Sequence, residues 1–336
     1  MILAGDIGGT KTVLALFEPA GDSVRQVRAE VFASREHATL EEILRAFLRP
    51  EAHLTLSAGC FGVAGPVIGG RSETTNLPWV LDEQALAACI GTPRVRLLND
   101  LEATAYGVVF VGADELVRLD PGTARRAGNV AVIAAGTGLG EALLYWDGTH
   151  YHPIASEGGH ADFAPNSDEE IALLQHLRRR FGAHVSYERV LSGPGLANIY
   201  AFLRESGAEP EPPWLTAKLT GGDPSATIAE VGLAGHDAVC ARTLELFAAI
   251  YGAEAGNLAL KCVATAVFIG GGIAPKLLPV LHTGTFMRSF AAKGRLSPLL
   301  QTVAVHVVLN QRTALLGAAH FALRLSATLP GNAAVA

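Results

Sequence analysis

Cysteine is scarce in this sequence of 336 residues. The four cysteines, Cys60, Cys89, Cys240 and Cys262, lie far apart and form no CxxC pair. This spacing argues against a zinc ribbon, a redox motif and a disulfide framework. A reducing compartment suits such thiols.

An excess of basic charge is also lacking. The chain has 26 lysines and arginines against 32 acidic residues, and its formal net charge is -6. This balance gives no overall attraction to nucleic acid or to anionic membrane surfaces. We therefore expect its partners to be small molecules or other copies of the chain.

Long apolar runs are missing as well. The apolar start, residues 1–4, soon meets Asp6 and is too short for a signal peptide. The stretch Leu258–Pro275 is interrupted by Lys261 and by three consecutive glycines, so it predicts a buried helix-to-strand passage and not a membrane span. A cytoplasmic protein is expected.

The hydrophobic content is ample for more than one core. It amounts to 49% of the residues, and at this length two lobes are expected. Segments with helical apolar spacing alternate with apolar strands, which predicts an α/β protein. The predicted helices are 40–49, 82–90, 171–181 (after a capping signature at Ser167) and 236–261.

A unit of strand, glycine turn and strand occurs twice, which suggests two related lobes. Each unit predicts a hairpin whose turn faces a ligand. The first consists of Ile2–Ala4, Gly8-Gly9 and Val13–Phe17, and the second of Val130–Ala134, Gly136–Gly140 and Ala142–Trp146.

The first glycine turn imitates a P-loop, because Lys11-Thr12 resembles the end of GxxxxGK[ST]. However, Thr10 stands where that motif needs glycine, and a strand follows where it needs a helix. The alternatives are an ordinary hairpin, or a turn whose backbone N–H groups approach an anion while Asp6 holds a water of a magnesium ion.

The second turn, Gly136-Thr137-Gly138-Leu139-Gly140, is not a dinucleotide fingerprint, because Glu141 occupies the sixth position of GxGxxG and no helix follows. A phosphate-facing hairpin fits better, with the Thr137 hydroxyl near a transferring phosphoryl group. A third glycine cluster, within 268–273, follows an apolar strand and would let an adenosine lie against the backbone.

Polar residues follow the strand Val95–Leu98 at its carboxyl end, where α/β proteins place ligands. Asp100 there is able to accept a proton from an attacking hydroxyl, or else serves only as a helix N-cap. The tetrapeptide Glu157-Gly158-Gly159-His160 suits a grip on adjacent sugar hydroxyls, or is a solvated loop. Glu188 is either a ligand or half of an ion pair with Arg189.

Taken together, the segments closely resemble those of the bacterial ATP-dependent glucokinases of the non-ROK group, within the actin-like, hexokinase-related ATPase superfamily. The resemblance covers nearly the whole chain. The matching segments are GDIGGT at the start, AGP at 64–66, TNLPW at 75–79, LLND at 97–100, AGTGLG at 135–140, EGGHADFAPNS at 157–167, ERVLSGPGL at 188–196, GGGIAPK at 270–276 and ALLGAA at 314–319.

The resemblance implies that the chain transfers the ATP γ-phosphoryl group to O6 of D-glucose, giving glucose 6-phosphate and ADP, the first step of glycolysis. Asp100 would be the general base. The implied glucose ligands are Asn99, Asp100, Glu157, His160, Glu188 and Asn76. The implied ATP-facing residues are Asp6, Gly8, Gly9, Thr10, Thr137, Gly138, Gly271 and Gly272, with 310–316 beside the nucleotide and Asp6 on Mg²⁺ through water.

The family further implies a two-lobed actin-like (ribonuclease H-like) fold with a nucleotide and sugar cleft between the lobes. Residues 1–110 would form a small lobe completed by about 301–328, and residues 111–300 a large lobe carrying a homodimer interface. Residues 329–336 are expected to be a flexible tail.

Two departures from related patterns matter. Lys11 stands where this group more often has asparagine. The cysteine-rich zinc motif of ROK kinases is absent, so no structural zinc is expected and His160 is expected to bind sugar.

Three other functions remain open at this point. They are a kinase for another hexose or hexosamine, a non-catalytic sugar-sensing relative, and an actin-like or chaperone-type ATPase. Retention of Asp100 speaks against the sensor, and the sugar constellation would serve no purpose in the ATPase.

Overall fold

The structure is a computed structural model that describes residues 1–51, 53–74, 77–120, 127–207 and 210–327. Residue Asn76 and the predicted tail 329–336 lie outside this described part.

The chain divides into two units. The first comprises Met1–Gly112, His152–Ala155 and the described chain from Asn310 onward. The second comprises Ala113–Tyr151 and Ser156–Leu309.

The strands of the described residues, in chain order, are β1 (Ile2–Ile7), β2 (Lys11–Ala20), β3 (Ser23–Ala33), β4 (Ala58–Val63), β5 (Arg71–Glu73), β6 (Val80–Asp82), β7 (Val95–Asn99), β8 (Leu116–Arg118), β9 (Val130–Ala135), β10 (Leu139–Trp146), β11 (Tyr151–Ser156), β12 (Ala266–Gly270) and β13 (Ala304–Val308).

The α-helices are α1 (Leu40–Leu48), α2 (Glu83–Ile90), α3 (Asp100–Val108), α4 (Asp168–Phe181), α5 (Gly193–Ser206), α6 (Pro213–Thr220), α7 (Pro224–Leu233), α8 (Ala238–Cys262), α9 (Leu278–Leu281), α10 (Thr285–Ala291), α11 (Ser297–Leu300) and α12 (Thr313–Ala327). Short 3-10 turns occupy Ser34–Glu36, Arg49–Glu51, Ala113–Glu115, Gly158–His160, Tyr187–Arg189 and Gly294–Leu296.

The first unit is built on a five-stranded sheet of order β3-β2-β1-β4-β7. β1 pairs antiparallel with β2 and parallel with β4, which pairs parallel with β7. Successive side chains of a strand point to opposite faces. Accordingly, Leu3 packs in the core that contains α1 and α2, whereas Ile2 packs in the core that contains α12. Both faces of this sheet are covered by helices.

Helix α12 crosses α3 at very close range. A Cβ added to Gly317 would lie 1.8 Å from the Ala103 carbonyl oxygen, and one added to Gly107 would lie 2.0 Å from that of Thr313. Only glycine permits this approach of two helix backbones. The crossing fixes α3, whose first residue is Asp100.

The second unit repeats the plan of the first. Five strands of its sheet follow the order β10-β9-β12-β13-β8. β9 pairs antiparallel with β10 and parallel with β12, which pairs parallel with β13. The series β2-β1-β4-β7 and β10-β9-β12-β13 therefore have the same order and directions, as the repeated hairpin motif predicted.

Local sequence signals account for several helix ends. The Asp82 side chain accepts hydrogen bonds from the first turn of α2 at 3.0 Å, and Gly91 ends that helix with a φ of 74°. The Ser167 hydroxyl accepts from Glu170 N at 3.2 Å at the start of α4, as its capping signature predicted.

The boundary predicted near residue 300 lies later in the chain. The sequence predicts that about 301–328 complete the first lobe, but β13 extends the second sheet, with Val305 and Val307 fully buried. An apolar strand needs a paired backbone and a covered face, and it finds both there. The first unit resumes only at Asn310. None of the helices in the described ranges is both long and apolar enough to span a membrane.

Candidate active site

The first glycine turn is a tight hairpin between β1 and β2. Gly8 N donates to the Lys11 carbonyl at 3.0 Å, and Asp6 lies opposite Val13. The hairpin prediction is confirmed, and the P-loop alternative is excluded because a strand follows the turn.

Ser34 anchors this turn from below. Its hydroxyl donates to the Gly8 carbonyl at 2.7 Å, and its backbone N donates to the Thr10 carbonyl at 3.0 Å. The side chain is fully buried and contacts the Thr12 hydroxyl at 3.0 Å. Sequence reasoning missed Ser34, because nothing in its local pattern separates it from an ordinary surface serine.

Asp6 is a half-buried acid near the end of β1. Burial raises the pKa of Asp6, and the positive charge of Lys11 opposes that rise. No described residue hydrogen-bonds to its carboxylate. Mg²⁺ typically takes one or two protein carboxylates and keeps several waters, so a single aspartate such as Asp6 fits the ion.

Asn99 and Asp100 are fixed by a capping box at the start of α3. The Asn99 Oδ1 accepts from Leu101 N at 2.8 Å, and Glu102 Oε2 accepts from Asn99 N at 2.8 Å. The Asn99 amide also donates to the Gly65 carbonyl at 3.1 Å. The N-cap is thus Asn99, which leaves Asp100 as the first helical residue and corrects the alternative that Asp100 is the cap.

The first turn and Asp100 leave the same edge of the first sheet. In the register of the parallel strands, Ile7 lies opposite Val63, and Val63 lies opposite Asn99. Two strand spacings separate the ends of β1 and β7, which is about 10 Å. The Asp6 turn, predicted to face phosphate, and Asp100, the predicted base, therefore lie close together within one unit.

The second glycine turn joins β9 to β10. Gly136 N donates to the Gly138 carbonyl at 2.8 Å, and Gly193 N at the start of α5 donates to the Gly136 carbonyl at 2.8 Å. Thr137 is exposed at the tip of the turn. The predicted hairpin is confirmed, with its hydroxyl free to face solvent or a ligand.

Glu188 lies against this second turn. Its Oε2 accepts from Leu139 N at 3.1 Å, and a Cβ on Gly138 would lie only 2.5 Å from the same oxygen. The suggested ion pair with Arg189 does not form in the described structure, where the Arg189 guanidinium lies 4.3 Å from the centre of the Phe181 ring. Glu188, predicted to bind sugar, thus contacts Gly138, predicted to face phosphate.

The tetrapeptide Glu157–His160 also packs on the start of β10. Its 3-10 turn closes with His160 N donating to the Glu157 carbonyl at 2.9 Å. A Cβ on Gly159 would lie 2.1 Å from the Leu139 carbonyl oxygen, so the turn sits directly on that peptide. Glu157 and His160 are both exposed. The Leu139 backbone is therefore where three predicted segments meet.

The third glycine cluster lies beside the end of β9. Gly271 has a φ of 81°, and its added Cβ would lie 2.2 Å from the Ala135 carbonyl oxygen. Ile273 N donates to that oxygen at 3.3 Å. Gly272 has nothing within 4 Å of an added Cβ. The second and third clusters thus adjoin at one edge of the second sheet.

Comparison with known proteins identifies the family. The family model described as Glucokinase matches residues 3–325. The chain belongs to the glucokinase family. It is 39% identical to the glucokinase of Nostoc sp. (strain PCC 7120 / SAG 25.82 / UTEX 2576), over 97% of this chain and 99% of that one. It is 35% identical to the glucokinase of Klebsiella pneumoniae (strain 342), over 94% of each.

Solved structures agree with this membership. The crystal structure of glucokinase from an Antarctic psychrotroph superposes with a TM-score of 0.84 at 31% identity, covering 96% of this chain and 98% of that one. A ROK family glucokinase from Streptomyces griseus shares the fold, with a TM-score of 0.64 at 23% identity over 96% and 99%. The predicted actin-like ATPase fold is confirmed, and the chain is an enzyme, a glucose kinase.

The glucokinase family also implies ATP as the phosphoryl donor. Among the residues that the structure describes, no three His, Cys, Asp or Glu side chains form a group able to hold a metal ion. Asn76, predicted at the sugar entrance, lies outside those residues.

Proposed function

We propose that the chain transfers the γ-phosphoryl group of ATP to O6 of D-glucose, with Asp100 as the general base. The observation that carries this proposal is the shared edge of the first sheet, from which both the Asp6 turn and Asp100 emerge. A base must lie within reach of the attacking hydroxyl, and phosphoryl transfer depends mainly on such positioning.

The remaining hydroxyls of glucose are assigned to Asn99, Glu157, His160 and Glu188. Asn99 retains one amide N–H beyond its bond to the Gly65 carbonyl. Glu157 and His160 are exposed on a turn whose backbone is fixed by the Leu139 carbonyl contact of Gly159. Each such hydrogen bond rejects a sugar that lacks the matching hydroxyl.

The phosphates of ATP are assigned to the first and second glycine turns. Gly8, Gly9 and Thr10 would face them from the first hairpin, with Thr137 and Gly138 from the second. Small residues at these turns let backbone N–H groups approach an anion closely. Gly271 and Gly272 would lie beside the adenosine, together with 310–316.

Asp6 would hold Mg²⁺ through water, and the ion would supply positive charge against the phosphate oxygens. The half-buried carboxylate of Asp6, free of hydrogen bonds from the described residues, supports this assignment. A homodimer in the cytoplasm that performs the first step of glycolysis is part of the same proposal. Light scattering after gel filtration measures the oligomeric state.

The test is the rate of glucose 6-phosphate formation by the wild type and by Asp100→Asn. Asparagine keeps the size of the side chain but accepts no proton, so kcat is expected to fall about 10²–10⁴-fold. Undiminished turnover would refute the base assignment. The same assay on mannose and glucosamine decides whether another hexose is preferred.

A further inference from the structure

Glu141 is a buried acid that the proposed mechanism does not use. It lies on β10 opposite Ile133 and has no solvent exposure. Neither of its carboxylate oxygens hydrogen-bonds to any described residue. A buried polar group without a partner is costly, so its presence in this core requires an explanation.

The carboxyl of Glu141 packs against the turn that carries Glu157 and His160. A Cβ added to Gly158 would be 2.0 Å from Glu141 Oε2 and 3.0 Å from its carboxyl carbon. The Gly158 N–H donates to the Ser156 hydroxyl at 2.9 Å, and that hydroxyl would lie 3.0 Å from the same added Cβ. The Gly158 backbone therefore rests on the Glu141 carboxyl.

Helix α8 supplies the charged surroundings of Glu141. Burial raises the pKa of Glu141 to about 7, the negative charge of Glu254 adds to the rise, and Lys261 opposes it. Lys261 is already engaged by Glu254, at 3.3 Å, and Asn257 also donates to Glu254. Burial raises the pKa of the Tyr251 hydroxyl, on the same helix, and the negative charge of Glu141 adds to that rise.

These neighbours favour a neutral Glu141. Glu254 is fully buried, but it has a cation and an amide as partners. Glu141 has neither, so an ionised Glu141 would be a second buried anion beside Glu254. Ionisation is expected to draw water toward the carboxyl and to displace the backbone that rests on it.

We propose that Glu141 is a positioning residue for glucose, whose protonated carboxyl fixes the Gly158 backbone and thereby the directions of Glu157 and His160. This inference rests on the proposed function of those two side chains as sugar ligands. It predicts that glucose affinity falls as Glu141 loses its proton, while the chemical step is unaffected.

The first test compares wild type with Glu141→Gln, which has the size of glutamate and no charge. Glucose Kd from titration calorimetry, KM and kcat are measured from pH 6 to pH 8. If only the protonated form binds, Kd and KM of the wild type rise about tenfold over this range. The variant is expected to lose that rise and to keep the wild-type kcat profile.

Every ionisable group except Glu141 is present in both proteins, so the difference between the two profiles isolates Glu141. A wild-type Kd that is flat from pH 6 to pH 8, or a rise that survives unchanged in the variant, overturns the inference. A matched control is Glu170→Gln, since Glu170 is also a buried acid of the second unit with a pKa raised by burial. If the control flattens the profile equally, the effect is global and the inference fails.

The second test uses the contact itself. Gly158→Ala is expected to weaken glucose binding about fivefold or more, because its Cβ overlaps the Glu141 carboxyl. Glu141→Ala removes that carboxyl, so the same Gly158→Ala change in this background is expected to have a much smaller effect. An equal loss in both backgrounds contradicts the proposed contact.

Glu157→Gln distinguishes the proposed sugar-binding function of this turn from the inference about Glu141. If it leaves glucose Kd unchanged, the assignment of this turn to sugar is wrong and the inference falls with it. If it weakens binding while Glu141→Gln leaves the pH profile intact, only the inference about Glu141 is overturned.

Discussion

Replacing Gly271 by alanine tests whether the third glycine cluster requires a residue without a Cβ at this position. Gly271 combines two demands, a φ of 81° and an added Cβ only 2.2 Å from the Ala135 carbonyl oxygen. A left-handed conformation costs a residue with a Cβ about 1–2 kcal/mol. Overpacking against a fixed strand end adds about 1–3 kcal/mol.

The two effects together predict a loss of about 2–5 kcal/mol in the free energy of unfolding, from a typical total of about 5–15 kcal/mol. At about 3 °C per kcal/mol, Tm falls by about 6–15 °C. Scanning calorimetry and urea unfolding measure the loss. The ATP KM of any folded fraction is expected to rise, because the cluster adjoins the second glycine turn.

Gly272→Ala is the matched control. Gly272 has neither a left-handed φ nor any atom within 4 Å of an added Cβ. It is expected to unfold like the wild type, and to raise the ATP KM if the adenosine lies against its backbone. Equal stability of Gly271→Ala and Gly272→Ala would refute the reasoning about the close approach.

Three further predictions concern stability and positioning. The pKa of Glu141 is raised from 4.5 to about 7, so its contribution to the free energy of unfolding is complete below pH 4.5 and is lost as pH rises through 7. We expect the free energy of unfolding to fall by about 3 kcal/mol over this range. Urea unfolding of Glu141→Gln should not show that fall. Gly317→Ala is expected to lower the free energy of unfolding by about 3 kcal/mol in calorimetry, because its Cβ would lie 1.8 Å from the Ala103 carbonyl oxygen; unchanged stability would contradict the close crossing. Glu102→Ala breaks the capping box at Asn99, so we expect the free energy of unfolding to fall by about 1 kcal/mol and kcat in the glucose 6-phosphate assay to fall as well. Glu102→Gln retains an acceptor oxygen and should largely restore both.

The sequence alone determined those features that depend on residues close together in the chain. Both glycine hairpins were predictable, because a turn and its two strands are contiguous. The capping of α3 follows from Asn99 and Glu102, three positions apart. Asp100 was placed at the end of a strand by the same local pattern. Resemblance to known segments then gave the family, since it preserves whole motifs.

Only the tertiary structure decided the contacts between distant segments. The Glu188 contact with the second turn spans 49 positions, and the Ser34 contact with the first turn spans 26. Strand β13 joins the second sheet through pairing with β12, which its own sequence does not specify. Glu141 showed in sequence only as a mismatch to a dinucleotide fingerprint. Its burial, its missing partners and its contact with Gly158 arise from packing between separate elements, because exposure and close approach are properties of the folded chain.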